Sequence, residues 1–68
     1  MMNGIEFSEY RERYDLTTYG MADVLGVAQS TIVNWELGKS RIPFLAAQAV
    51  RDPEFMRKLI EQARARAA

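Results

Sequence analysis

Apolar and polar positions recur three and four residues apart along this chain. They never alternate over the length of a strand, so the pattern predicts helices throughout. Phe7, Tyr10 and Tyr14 mark one face of a first helix over Gly4 to Tyr14, with Asn3 as its cap. Asp15 follows it, a residue type that tolerates the left-handed conformation at a helix end. Met21, Ala22 and Leu25 mark a second helix from Thr18 to Leu25, capped by Thr17 and ended by Gly26, which can take a positive φ. Gly20 inside it costs about 1 kcal/mol relative to Ala, so packing must hold this helix. A third helix, Gln29 to Leu37, puts Ile32, Trp35 and Glu36 on one side and Gln29, Ser30, Val33 and Asn34 on the other; Gly38 ends it. Pro43 suits the first turn of a fourth, Phe44 to about Arg51. Asp52-Pro53 reads as the cap and first residue of a fifth, running to about Arg64. The fold class that follows is all-α, a compact bundle of about five short helices.

With 68 residues the chain is expected to form a single domain, 1–68, and a core of this size is marginal enough for self-association to help it. Cys and His are both absent, which excludes zinc fingers, disulfide scaffolds and Cys/His nucleophiles. No cofactor or metal is implied, no small-molecule substrate is evident, and no catalytic constellation stands behind an enzyme. A basic leader followed by an apolar run is missing, as is any stretch of about 20 apolar residues, so a cytoplasmic protein with no membrane partner is expected.

Formal net charge is zero, but its distribution is uneven. Residues 1–27 hold Glu6, Glu9, Glu12, Asp15 and Asp23 against two arginines, net −3. Residues 28–51 hold Glu36 against Lys39, Arg41 and Arg51, net +2, and residues 52–68 are net +1. A locally positive middle segment is what a polyanionic partner would meet. Glu6, Glu9 and Glu12 form an acidic, solvated side of the first helix that should face away from such a partner. Gly38-Lys39-Ser40 has the tail of a nucleotide-binding loop, but Val33 stands where that motif needs its first glycine and no strand precedes it, so nucleotide binding is rejected.

A helix, a short glycine-containing turn and a second helix are the parts of a helix-turn-helix. Leu16, Ala22, Leu25-Gly26-Val27, Ser30-Thr31-Ile32, Trp35-Glu36, Gly38-Lys39 and Pro43 stand at coupled spacings. Over Phe7 to Pro43 the chain resembles the lambda-repressor-like, Cro-type DNA-binding family, which includes small phage-type autorepressors and anti-CRISPR-associated regulators. In such an arrangement Ala22 lets two helices cross closely, and the third helix presents its polar face as a probe for the major groove. Gln29, Ser30, Val33 and Asn34 are then the base readers. Gln and Asn can pair with adenine through two hydrogen bonds, Ser can bond several bases, and Val33 or Ala28 can touch a thymine methyl. Thr17 and Thr18 on one flank and Lys39, Ser40 and Arg41 on the other are the phosphate contacts. The resemblance also implies an ion pair between Arg11 and Glu36 that anchors the reader helix.

Thr18, Gly20, Ala28 and Leu37 depart from that family's usual residues. Thr18 replaces a Gln that bonds phosphate, Gly20 removes a capping box with Thr17, and Ala28 leaves the third helix without a side-chain cap. In the fifth helix Phe55, Met56, Leu59, Ile60 and Ala63 spread over roughly 140° of its surface. That arc is wide enough for its own domain and a second subunit, so segment 53–66 is the expected dimerisation element. The function expected is a sequence-specific repressor of transcription, likewise of its own gene, that binds double-stranded DNA as a homodimer on an inverted repeat. The alternative is a protein-interaction module, or an antitoxin-type protein, with the same fold and weak DNA affinity.

Overall fold

The computed structural model describes residues 1–67 and contains five helices: α1 (Gly4–Arg13), α2 (Thr18–Leu25), α3 (Gln29–Glu36), α4 (Phe44–Arg51) and α5 (Pro53–Ala67). Among the described residues there is no strand, and no helix is long and apolar enough to cross a membrane.

Local chemistry sets most of the boundaries. The Asn3 side chain accepts from the Glu6 N–H at 2.8 Å while the Glu6 carboxylate accepts from the Asn3 N–H at 3.2 Å, a reciprocal capping box. Glu6 therefore closes the start of α1 rather than belonging to a purely solvated acidic side. Tyr14 is the C-cap of α1, and Asp15 follows at φ 58 in the left-handed region. The Thr17 hydroxyl accepts from Gly20 N–H at 3.0 Å, and Gly26, at φ 72, ends α2 in a conformation that a Cβ would strain. Pro43 is the N-cap of α4, which begins at Phe44. Asp52 caps α5 by accepting from Phe55 N–H at 3.1 Å. That helix continues beyond Arg64 to Ala67, and Arg66 on its last turn reaches across to α2, donating to the Asp23 carbonyl at 3.0 Å.

Each helix contributes one fully enclosed side chain to the core: Phe7, Met21, Ile32, Val50 and Met56. Around them α1 packs on α3 and α4, α2 packs on α3 and α5, and α4 packs on α5. Phe7 meets Trp35 edge to face, with ring centroids 5.5 Å apart. Tyr14 donates its hydroxyl to the Val50 carbonyl at 2.6 Å, tying the end of α1 to α4. Burial, more than the neighbouring charges, pushes the Tyr14 phenol above its ordinary pKa, so the proton that makes this bond is retained.

Gly20 is the weak point of α2 by propensity, and the space around it can be filled. A Cβ there would lie 3.3 Å from the end of the Leu16 side chain, which can rotate aside. Gly20→Ala is expected to stabilise the fold by about 0.5 kcal/mol, a rise of about 2–4 °C in Tm for a domain of this size. Thermal unfolding followed by circular dichroism checks it.

Candidate nucleic-acid interface

α3 is a rod of eight residues held at its middle and at both ends. Ile32 and Trp35 bury one side of it. Ser30 is exposed and Gln29, Val33 and Asn34 are half-buried, so the four expected readers share the side that the core leaves uncovered. Ala28 makes no side-chain cap, leaving the first N–H groups of α3 without a side-chain partner.

The N-terminal end of α3 is braced by α2. The Gln29 amide donates to the Thr18 hydroxyl at 3.0 Å, joining a reader to a residue assigned to phosphate. Nothing in the sequence spacing pairs these two. The bond leaves Thr18 its own O–H to donate, and leaves Gln29 its carbonyl oxygen and a second amide hydrogen, the set that an adenine edge takes.

The C-terminal end is locked by α1. Arg11 Nε donates to Glu36 Oε2 at 2.7 Å and Nη2 donates to Oε1 at 3.0 Å, so the pair implied by the resemblance forms with both oxygens engaged. A third donor, Nη1, reaches the Leu16 carbonyl at 2.9 Å and adds the segment before α2 to the same knot. The hydrogen bond to Glu36 holds the Arg11 guanidinium above its ordinary pKa. Gly4, at the start of α1, lies directly against the last turn of α3: a Cβ at this position would overlap the Glu36 carbonyl oxygen and approach that of Trp35 at 2.6 Å. This close approach left no mark in the hydrophobic pattern, because a glycine carries no hydrophobic signal.

The turn after α3 is also fixed. Lys39 and Ser40 both donate their backbone N–H groups to the Asn34 carbonyl, at 2.9 and 3.3 Å. Lys39, Ser40 and Arg41 are exposed beyond it, and among the described residues neither Lys39 nor Arg41 enters an ion pair. On the other flank the expectation of a distant acidic side does not hold at Glu12. Glu12 and Asp15 share a surface recess with Arg11 and Thr17, because α1 ends beside the start of α2. Of the two threonines, Thr18 is therefore the better placed for a phosphate.

Two further residues belong to this surface. Tyr19, next to Thr18, is 71% exposed, and Leu37 is 63% exposed three and four positions on from Asn34 and Val33. Helical spacing puts Leu37 in line with the readers, and that same spacing would have found it in the sequence.

The five residues assigned to a dimer face divide. Met56 and Ala63 lie in the protomer's own core, Leu59 and Ile60 are half-buried against it, and Phe55 is exposed. A helix between two neighbours buries more of its apolar arc than its own periodicity can tell. Comparison of the chain with protein-family models, with curated proteins and with solved structures finds no match in any of the three.

Proposed function

We propose that the chain is a sequence-specific DNA-binding protein that inserts α3 into the major groove through a helix-turn-helix formed by α2 and α3. The observation that carries this reading is the fixation of α3 at both ends with Gln29, Ser30, Val33 and Asn34 left outward. A side chain can discriminate bases only if its backbone cannot drift, and three independent contacts hold this one. Thr18 on one flank and Lys39, Ser40 and Arg41 on the other contact phosphates, which fixes the helix in register. The molecule is 33 Å in its longest dimension and carries one such helix. Two successive major grooves on one DNA face lie about 34 Å apart, so a two-fold dimer is needed to read both halves of an inverted repeat. Occupying a promoter and obstructing polymerase is the simplest repressor mechanism for a chain with this content. It covers an autorepressor and an operon-repressing antitoxin alike.

Selection of binding sites from random DNA tests the reading. It is expected to return one symmetric consensus. On that site Gln29→Ala or Asn34→Ala should each lose about 1–3 kcal/mol and relax preference at one base position. Lys39→Ala or Arg41→Ala should instead weaken all sequences alike and flatten the slope of log K against log salt by about one unit. Equal losses from both classes on specific and nonspecific DNA contradict the assignment.

The second reading is a protein-interaction module with the same fold. Exposed Phe44 and Leu45, together with the acidic recess at Thr17, favour it. No salt-dependent DNA binding at all, with a folded protein, would remove the DNA reading and leave this one standing.

A further inference from the structure

An apolar groove of about 340 Å³ lies between α2, α4 and α5. Leu45, Ala49, Phe55 and Leu59 line it, with Val27 and Trp35 on the side of α3, and no charged side chain does. At its rim Leu45 is 79% exposed and Phe55 46% exposed. Phe44, the neighbour of Leu45, is 72% exposed in an adjoining cleft that shares Pro43 with this groove and is also lined by Arg41 and Arg51.

We propose that this groove is where a second copy of the chain docks about a two-fold axis, with Leu45 as the projecting side chain and Phe55 and Leu59 as the receiving wall. The proposal deepens the DNA-binding reading and rests on it for the two-fold symmetry. An interface between identical copies must be complementary to itself. A projecting leucine beside an apolar recess on one surface meets that condition. Phe44, Leu45 and Phe55 leave roughly 300–400 Å² of apolar surface in water, within the range of the largest patch on a typical monomer, which is often a functional one. A standard interface buries about 800 Å² on each partner, with an apolar centre and a polar rim, so this patch is the size of such a centre. The rim suits a second copy as well. Glu54 and Lys58, one position before and three after Phe55 on α5, carry opposite charges, and Glu54 also pairs with Arg57 at 3.6 Å, so two identical rims need not repel each other. A groove without a single cation gives a polyanion nothing to bind, which sets it apart from the outer face of α3.

The surface differs from the arc of α5 read from periodicity, and the difference changes the experiment. Met56→Glu would break the protomer's core and report on folding alone. Leu45→Glu changes a side chain that is mostly in water and leaves the core intact. Sedimentation of the full chain without DNA at micromolar concentration is expected to show a dimer. Leu45→Glu, and independently Phe55→Glu, should raise its dissociation constant by about tenfold or more while the helical circular dichroism stays unchanged. Ile5→Glu, equally exposed but on α1, should leave association as it was. A monomeric wild type, a folded Leu45→Glu protein that remains a dimer, or equal disruption by Ile5→Glu overturns the proposal. Binding-site selection stays a separate measurement. A chain that dimerises through this groove without binding DNA removes the DNA reading alone. A selected inverted repeat with an unchanged Leu45→Glu dimer removes the groove alone.

Discussion

Gly4→Ala is expected to cost about 3 kcal/mol, where overpacking a core costs about 1–3 kcal/mol in general. The added methyl would fall on the Glu36 carbonyl oxygen and lie 2.6 Å from that of Trp35. Both are backbone atoms of a helix end that cannot step aside. Trp35 O already accepts from Gly38 N–H at 3.2 Å, and the Glu36 side chain is held by Arg11. Relief must come from lifting α1, which would part Phe7 from Trp35. The gain in helix propensity, at most about 1 kcal/mol, does not offset this. A domain of this length has about 3–10 kcal/mol of total stability, so the variant should unfold at far lower urea or temperature than the wild type. Denaturation followed by circular dichroism measures it, with Gly20→Ala as the glycine replacement of opposite sign. An unchanged midpoint for Gly4→Ala would mean that α1 does not press on α3 as described.

Breaking the Arg11–Glu36 pair has the next largest effect. Its side chains are 17% and 13% exposed, so neither charge is well hydrated once its partner is removed. Arg11→Met and Glu36→Gln should each destabilise by about 2 kcal/mol, less than for a wholly buried pair. Arg11→Met should cost the more of the two, because the Leu16 carbonyl also loses its donor. The double variant should be less destabilised than the sum by about 1 kcal/mol. Strictly additive losses in a double-mutant cycle would rule the coupling out. Because Glu36 closes α3, the folded fraction of either variant should also bind its selected site more weakly.

Much of the fold was legible in local chemistry. Caps at Asn3, Thr17 and Asp52, the left-handed positions at Asp15 and Gly26, and the spacing of Phe7, Met21 and Ile32 all act within a few residues, where sequence reasoning has purchase. The arrangement around α3 was legible in part. The Arg11–Glu36 pair was implied by resemblance, whereas the Gln29–Thr18 bond and the Gly4 contact arise from how helices meet and leave no periodic trace. The same limit explains α5. Its apolar arc is visible in the sequence, but whether α2, α4 or a second copy covers each residue depends on the packing of three helices. The contact of Arg66 with Asp23, forty-three positions away in the chain, is likewise a matter of packing.

If α3 enters DNA as proposed, its double fixation decides which molecule deforms on contact. Were the rod tethered at one end, it could tilt to suit many groove widths, and recognition would be permissive. Held by Thr18 at one end and by Gly4 and Arg11 at the other, it adjusts little, and the misfit passes to the duplex. Duplexes differ in how cheaply they bend or unstack, pyrimidine–purine steps most cheaply, at a cost of about 1–6 kcal/mol for a moderately bent site. On that reading, stiffness in one eight-residue helix would become sensitivity to DNA flexibility, at base pairs that no side chain reaches.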